Sequence, residues 1–133
     1  MEITKHSHDR LKESARRYYV HGEHLNVLCS YLIHGYHPGS FWHSVLSNDL
    51  FSAVSHSHPS NNIVDIKNAV AWIINELPPV VYGDYLKVTN WCYCDDDFRR
   101  MVLESRRLIY TKEEETVLLL SSSPEELNDS PIF

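Results

Sequence analysis

Histidine is the residue whose number and spacing first indicate chemistry in this sequence. All nine histidines lie between His6 and His58, and two pairs have the spacing His-x-His, at positions 6/8 and 56/58. Two or three imidazoles that converge in a fold can bind zinc. The spacing does not match a recognised metal motif, since neither HExxH nor paired CxxC occurs. We therefore predict no metal site and expect these histidines at the surface and in turns.

The second candidate site is the turn with the sequence HPGSFWH at residues 37–43. A serine here would cap the following helix, and the glycine before it would leave backbone N–H groups open to an anion. Two flanking histidines and a tryptophan would complete a cradle for a phosphate or a nucleotide. The alternative is an ordinary capped helix, because no GxxxxGK[ST] loop occurs. The candidate binding residues are His37, Gly39, Ser40, Trp42 and His43.

Arginine doublets give a third candidate site. Arg16 and Arg17 precede two tyrosines, and Arg99 and Arg106 fall partly on one face of a later predicted helix. Either group could bind phosphate or a carboxylate-bearing surface through charge-assisted hydrogen bonds. The alternative is a solvated helix face with i, i+4 pairs such as Glu13–Arg17.

Motifs for covalent catalysis are absent from the sequence. There is no GxSxG elbow, and Cys29 lies in an apolar helical stripe that is typical of a core cysteine. Three cysteines are an odd number and do not suit a disulfide framework. The aspartates at 95–97 suit the positive end of a helix. We therefore predict a protein that is not an enzyme and uses no cofactor.

Composition bounds the class of protein. The chain has 133 residues, of which 43% are hydrophobic and 23% charged, as expected for one globular domain. Its net charge of −6 argues against a general nucleic-acid coat protein. Residues 1–60 hold five basic and five acidic residues, so the whole net negative charge lies in residues 61–133. No apolar run is long enough to span a bilayer, and no secretory signal is expected.

Apolar residues at a spacing of about 3.6 predict helices along most of the chain. These helices cover residues 9–20, 23–34, 40–55, 62–77 and 95–110. Asp9, Ser40 and either Asn62 or Asn61 are the predicted N-caps of three of them. Residues 80–94 permit a helix or a strand, of which we favour the helix, and residues 112–121 permit either.

The predicted helix at 40–55 carries an apolar face with polar residues in its middle. Asn48 and Asp49 either satisfy backbone groups at a helix junction or line the preceding turn as part of a ligand site. The residues that share the expected buried face are Phe41, Val45, Leu46, Leu50, Ala53 and Val54.

Together these elements predict an all-α protein, a compact bundle of five to six short helices. We expect a helical domain over residues 1–111, with a core module at 23–94. Residues 112–133 carry one basic and six acidic residues and are expected to form a partly flexible acidic extension.

The order of motifs over residues 31–91 resembles a group of small bacteriophage proteins. A helix that ends in glycine is followed by a Pro-Gly-Ser-Phe turn, a VLxNDL helix, an Asn-capped helix with an NE-x-Pro end, a glycine and a tryptophan. Under half of the chain is covered, and Trp42 and the extra histidines depart from the pattern. The matching residues are Pro38, Gly39, Ser40, Phe41, Val45, Leu46, Asn48, Asp49, Leu50, Asn62, Asn75, Glu76, Pro78, Gly83 and Trp91.

The resemblance implies a phage accessory protein that acts in the host cytoplasm. Our first hypothesis is a non-enzymatic inhibitor that binds a host protein complex and blocks a host defence system or a host enzyme. One alternative is a sponge that sequesters a nucleotide second messenger of host immunity. Another is a small nucleic-acid-binding regulator that uses Arg16 and Arg17. No membrane partner is expected, and a homo-oligomer is left open.

Overall fold

The computed structural model describes residues 1–58 and 61–121. Over these residues it contains eight α-helices, one 3₁₀ turn at Pro79–Val81 and no strand, which confirms the all-α class and exceeds the expected five to six helices. None of these helices is long and apolar enough to cross a membrane. The helices are α1 (Lys5–Arg16), α2 (Gly22–His34), α3 (Gly39–Leu46), α4 (Leu50–Ser55), α5 (Ile63–Glu76), α6 (Tyr85–Tyr93), α7 (Asp96–Ser105) and α8 (Lys112–Ser121).

Local capping decides where several helices begin. Of the two predicted caps of α5, Asn61 and Asn62, the structure shows Asn62, whose side chain accepts a hydrogen bond from Val64 N at 2.7 Å. The predicted cap Asp9 is wrong. Helix α1 begins four residues earlier, where the side chain of Thr4 accepts a hydrogen bond from Ser7 N at 3.3 Å. The stretch before Asp9 lacks a strong apolar period, so periodicity alone placed this start too late.

The single helix predicted for residues 40–55 is two helices. Asn48 has a φ of 62°, a left-handed conformation that asparagine tolerates better than most residues. Asp49 then caps α4, because its Oδ1 accepts a hydrogen bond from Ser52 N at 3.1 Å. Of the two interpretations offered for Asn48 and Asp49, the helix junction is therefore the one that the geometry shows. The break also rotates α4 relative to α3.

Both ambiguous segments form helix over most of the residues that the structure describes. The preference for a helix within 80–94 is confirmed for α6, which Asp84 caps by accepting a hydrogen bond from Lys87 N at 2.8 Å. Residues 112–121 form α8. The remaining part of the predicted acidic extension, 122–133, lies outside the described residues.

Two buried tryptophans join the helices in the core, and each has a partner for its indole N–H. Trp72 of α5 donates to Ser14 Oγ of α1 at 3.0 Å, and Trp91 of α6 donates to Tyr31 O of α2 at 3.0 Å. Burying a tryptophan is favourable when its N–H is satisfied in this way. These contacts fix α5 against α1 and α6 against α2.

The buried core draws on residues beyond 23–94. Ile3 precedes α1, Leu103 lies in α7 and Ile109 follows α7, and all three are almost completely inaccessible to solvent. The chain therefore packs its N-terminal segment, α7 and the residues that follow α7 into the same apolar interior as the central helices.

A buried ion pair joins α8 to α7, and hydrogen bonds to the same glutamate join α8 to the start of α1. Arg100 of α7 donates to both Glu104 and Glu115, and Glu115 also accepts hydrogen bonds from Thr4 N at 2.9 Å and from Ser7 Oγ at 2.6 Å. Burial by itself raises the pKa of the Glu115 carboxyl, but the hydrogen bonds from Ser7, Thr4 and Arg100 outweigh it and hold that pKa below its ordinary value. Glu115 therefore remains ionised in the folded protein at neutral pH.

Buried histidines make the fold sensitive to acid. His8 of α1 is only 6% exposed, and burial, with a smaller effect of the Lys12 charge, lowers its pKa from 6.5 to about 4. Burial also lowers the pKa of His24, His34 and His43. Between pH 6.5 and 4 the unfolded chain thus binds more protons than the folded one, so stability is present above pH 6.5 and is lost as the pH falls.

We expect the free energy of unfolding in urea to fall by about 1–3 kcal/mol from pH 7 to pH 4.5 through His8 alone. The variant His8→Gln should therefore show a shallower dependence on pH than the wild type. His56→Gln, which changes an exposed histidine, serves as the control and should keep the wild-type slope. Equal slopes for wild type and His8→Gln would contradict this prediction.

Candidate functional site

The turn predicted to bind an anion lies at the surface, but its backbone is less open than expected. Helix α3 begins at Gly39, and the N-cap position is occupied by Pro38, which makes no side-chain cap. The predicted cap Ser40 is therefore wrong, since it lies inside the helix. Gly39 has a φ of 85°, and its N–H donates to His37 Nδ1 at 3.1 Å. One of the N–H groups that would meet an anion is thus already paired.

Trp42 was predicted to offer a stacking face to a ligand, and the structure corrects this prediction. The side chain is only 5% exposed and packs edge-on against His24, with 5.0 Å between ring centroids. A nucleotide base has no access to a ring that the core already covers. Trp42 follows the apolar period of α3, so its burial is a consequence of the helix rather than of a ligand site.

His37 and His43 do come together, as part of a small aromatic cluster. Their rings stack with centroids 4.7 Å apart, and the His43 ring lies 5.3 Å from that of Tyr85 in α6. Burial and the neighbouring His37 lower the pKa of His43, which favours its neutral form. The hydroxyl of Tyr85 donates to Asp49. This cluster packs α3 and α4 against α6 and offers no lysine or arginine to a phosphate.

The first arginine doublet is exposed, but acidic side chains face it. Arg16 lies 3.8 Å from Glu13, and Arg17 lies 3.9 Å from Glu76. Arg106 also reaches Glu76 and donates to its backbone carbonyl at 3.2 Å. The structure therefore brings Arg17 and Arg106 together around Glu76, although the carboxylate there offsets the positive charge that a phosphate would need.

Arg99 was predicted to bind a ligand and is instead part of the packing. It is 6% exposed, and its guanidinium donates to Trp91 O at 2.7 Å and to Asp96 at 3.1 Å. These bonds join the end of α6 to the start of α7. A guanidinium that is buried in this way is not accessible to a partner, so Arg99 does not belong to a binding site.

The groove between α3–α4 and α5 is a site that the sequence did not predict. It encloses about 410 Å³, within the range of pockets that bind ligands. The charged side chain among the described residues that line it is Asp49. Its apolar lining includes Phe41, Val45, Leu50, Val54, Ile63 and Ile66.

Several apolar side chains that line this groove are exposed to solvent. Leu50, Val54 and Ile63 are mostly exposed, and so are Phe51 and Val64, their neighbours in the chain. Exposed apolar surface that is grouped in this way marks interaction sites in soluble proteins. An indirect signal was present in the sequence, since Asn48 and Asp49 interrupt the apolar face to which Leu50 and Val54 were assigned. Once the helix breaks there, these two side chains leave the core.

The described residues offer no metal centre, because no three of their His, Cys, Asp or Glu side chains are grouped so as to hold an ion. Fold and groove together define an all-α protein with a largely apolar surface groove. No known protein family, curated protein or solved structure matches the chain. The resemblance of residues 31–91 to small bacteriophage proteins therefore stays a prediction.

Proposed function

We propose that this protein is a non-enzymatic binding protein, and that the groove between α3–α4 and α5 receives an amphipathic helix of another protein. The observation that carries this proposal is that Leu50, Val54 and Ile63 line the apolar groove and are nevertheless mostly exposed to solvent. Helix-in-groove recognition uses this kind of surface, into which the partner inserts apolar side chains at positions i, i+3, i+4 and i+7.

The charge of the groove favours a protein partner over a nucleotide. The lining residues that the structure describes include neither lysine nor arginine, so a phosphate would meet no cation. The carboxylate of Asp49 accepts hydrogen bonds from Tyr85 and Ser52, which lower its pKa and keep it ionised. This negative charge opposes an anionic ligand. The nucleotide sponge and the nucleic-acid regulator thus find no support at this surface.

The same charge specifies the polar edge of the partner helix. Asp49 caps α4 and lines the groove. A partner with Lys or Arg beside its apolar face would place a cation next to this carboxylate. Because α5 has 14 residues and is about 20 Å long, it can accompany a helix of about four turns.

The resemblance of residues 31–91 supports a setting for this activity. In that setting the protein is a bacteriophage accessory protein in the host cytoplasm, and the bound helix belongs to a host protein whose work it inhibits. Binding rather than turnover agrees with a groove that is lined mainly by aliphatic and aromatic side chains.

The test uses synthetic helical peptides of about 16 residues, with Leu and Ile on one face and either Lys or Glu beside it. We expect the Lys peptide to bind, and Val54→Glu to weaken its Kd by about tenfold or more, because a charge would then be buried among apolar groups. Fluorescence anisotropy of the labelled peptide measures this.

Leu86→Glu is the matched control, since Leu86 is as exposed as Val54 but lies on α6, outside the groove lining. This variant should bind the Lys peptide like the wild type. Equal losses in both variants would overturn the proposed site, and equal affinity for the Glu peptide would overturn the proposed charge of the partner.

A further inference from the structure

A second, polar pocket lies between α1 and α2. It encloses about 240 Å³, less than the roughly 300–1,000 Å³ typical of pockets for drug-sized ligands, so it suits a small ligand. Its lining shares no residue with the apolar groove. The polar side chains that line it are His8 and Lys12 of α1 and Asn26, Ser30 and His34 of α2.

Several of these side chains can donate hydrogen bonds to a ligand. Within residues 1–58 and 61–121, no hydrogen bond or ion pair engages the side chains of Lys12, Asn26 or Ser30. Burial lowers the pKa of His34, so its ring is neutral at pH 7 and retains one N–H. Two neighbouring helices therefore present an ammonium, an amide, a hydroxyl and an imidazole around one small space.

The charge around this pocket is positive. The described residues that line it include no Asp or Glu. The Lys12 charge lowers the pKa of His8, after the larger effect of burial, and Asp9 opposes it by a smaller amount. The amino group of Met1, which touches one of the lining histidines, is paired with Asp96 at 3.3 Å. Among the residues that the structure describes, Lys12 thus has no acidic side chain within ion-pair distance at this pocket.

We propose that this pocket binds a small oxyanion of the phosphate type, with Lys12 as its ion-pair partner and Asn26, Ser30 and His34 as neutral donors. A phosphate group offers at least three strongly accepting oxygens, which matches a cation and several donors better than a two-oxygen carboxylate does. Cys29 and Ile33 form the apolar wall. The site is independent of the groove and of the helix proposed to bind there.

Isothermal titration with inorganic phosphate, in buffers matched in ionic strength with NaCl, tests the proposal. We expect the wild type to bind phosphate with a Kd in the millimolar range or tighter, and Lys12→Gln to weaken binding about tenfold or more. Lys67→Gln is the control, because it removes the same charge from an exposed site on α5. That variant should bind phosphate like the wild type.

Circular dichroism confirms that each variant is folded, and Ser30→Ala gives a second test because it removes a donor without changing the charge. A several-fold weaker Kd for Ser30→Ala supports the site. No binding at about 20 mM phosphate, or equal losses for Lys12→Gln and Lys67→Gln, overturns it. Acetate that binds as tightly as phosphate overturns the assignment to a phosphate-type anion.

Discussion

Substitution of Arg100 by methionine is expected to lower the free energy of unfolding by about 3–5 kcal/mol, the largest loss we predict for a single side chain. Arg100 and Glu115 are both more than nine-tenths buried and form an ion pair between α7 and α8. Methionine fills similar space but leaves the Glu115 carboxylate in the interior without a cation. An uncompensated buried charge is much more costly than a lost surface pair.

Arg107→Met is the matched control for Arg100→Met. Arg107 also pairs with a glutamate of α8, Glu114, at 3.1 Å, but this pair is exposed to solvent. Exposed ion pairs contribute about 0–1 kcal/mol to the free energy of unfolding, so Arg107→Met should lose little stability. Urea denaturation of the two variants at pH 7 measures the difference. Similar losses in both would show that the burial of Glu115 has no energetic consequence.

A double variant separates the cost of the orphaned charge from the loss of packing. In Arg100→Met/Glu115→Gln the side chain at 115 is neutral, and its amide oxygen can still accept hydrogen bonds from Thr4 and Ser7. We expect this variant to regain part of the stability that Arg100→Met loses. No recovery would assign the loss to packing alone.

Substitution of Gly35 by alanine is the second change with a large expected effect, a loss of about 3 kcal/mol or more. Gly35 ends α2 with a φ of 68°, which costs any other L-residue about 1–2 kcal/mol. An added Cβ would also lie 2.5 Å from Nη1 of Arg99 and 3.0 Å from the carbonyl oxygen of Cys92. Arg99 cannot yield easily, since its guanidinium is buried and bonded to Trp91 and Asp96.

Two other glycines separate the backbone effect from the steric one. Gly39 has a φ of 85° but open space where a Cβ would lie, so Gly39→Ala should lose about 1–2 kcal/mol. Gly22 begins α2 with no close neighbour and no positive φ, so Gly22→Ala should be neutral or slightly stabilising. In thermal unfolding, we expect Gly35→Ala to have the lowest melting temperature, Gly39→Ala an intermediate one and Gly22→Ala the highest. Equal losses at 35 and 39 would show that the contact with Arg99 has no effect.

The sequence alone was sufficient for the helical class and for most helix positions. Apolar spacing and a side-chain cap such as Asn62 act within a few residues, so they are visible in a single chain without knowledge of the fold. The same local rules placed the start of α1 too late, because the cap at Thr4 precedes a stretch with a weak apolar period. They also joined α3 to α4, because the left-handed conformation of Asn48 cannot be read from an apolar pattern.

The candidate binding surfaces required the tertiary structure. Arg99 and Trp42 have the residue types of a ligand site, yet contacts with other helices bury both of them. The groove depends on tertiary structure because its lining comes from α3 and α4 on one side and from α5 on the other. The polar pocket likewise needs Lys12 and Ser30 to face each other across two helices.

Glu115 shows why some properties follow from the local sequence and others only from the tertiary structure. Its carboxylate accepts from Thr4, 111 residues away in the chain, and its pKa depends on that contact as well as on Arg100. Helix propensity and capping are local and follow from neighbouring residues, whereas burial, ion pairing and pocket shape depend on which distant segments pack together. The sequence therefore determined that the chain is helical, and tertiary packing decided which of its charged and apolar side chains remain available to bind.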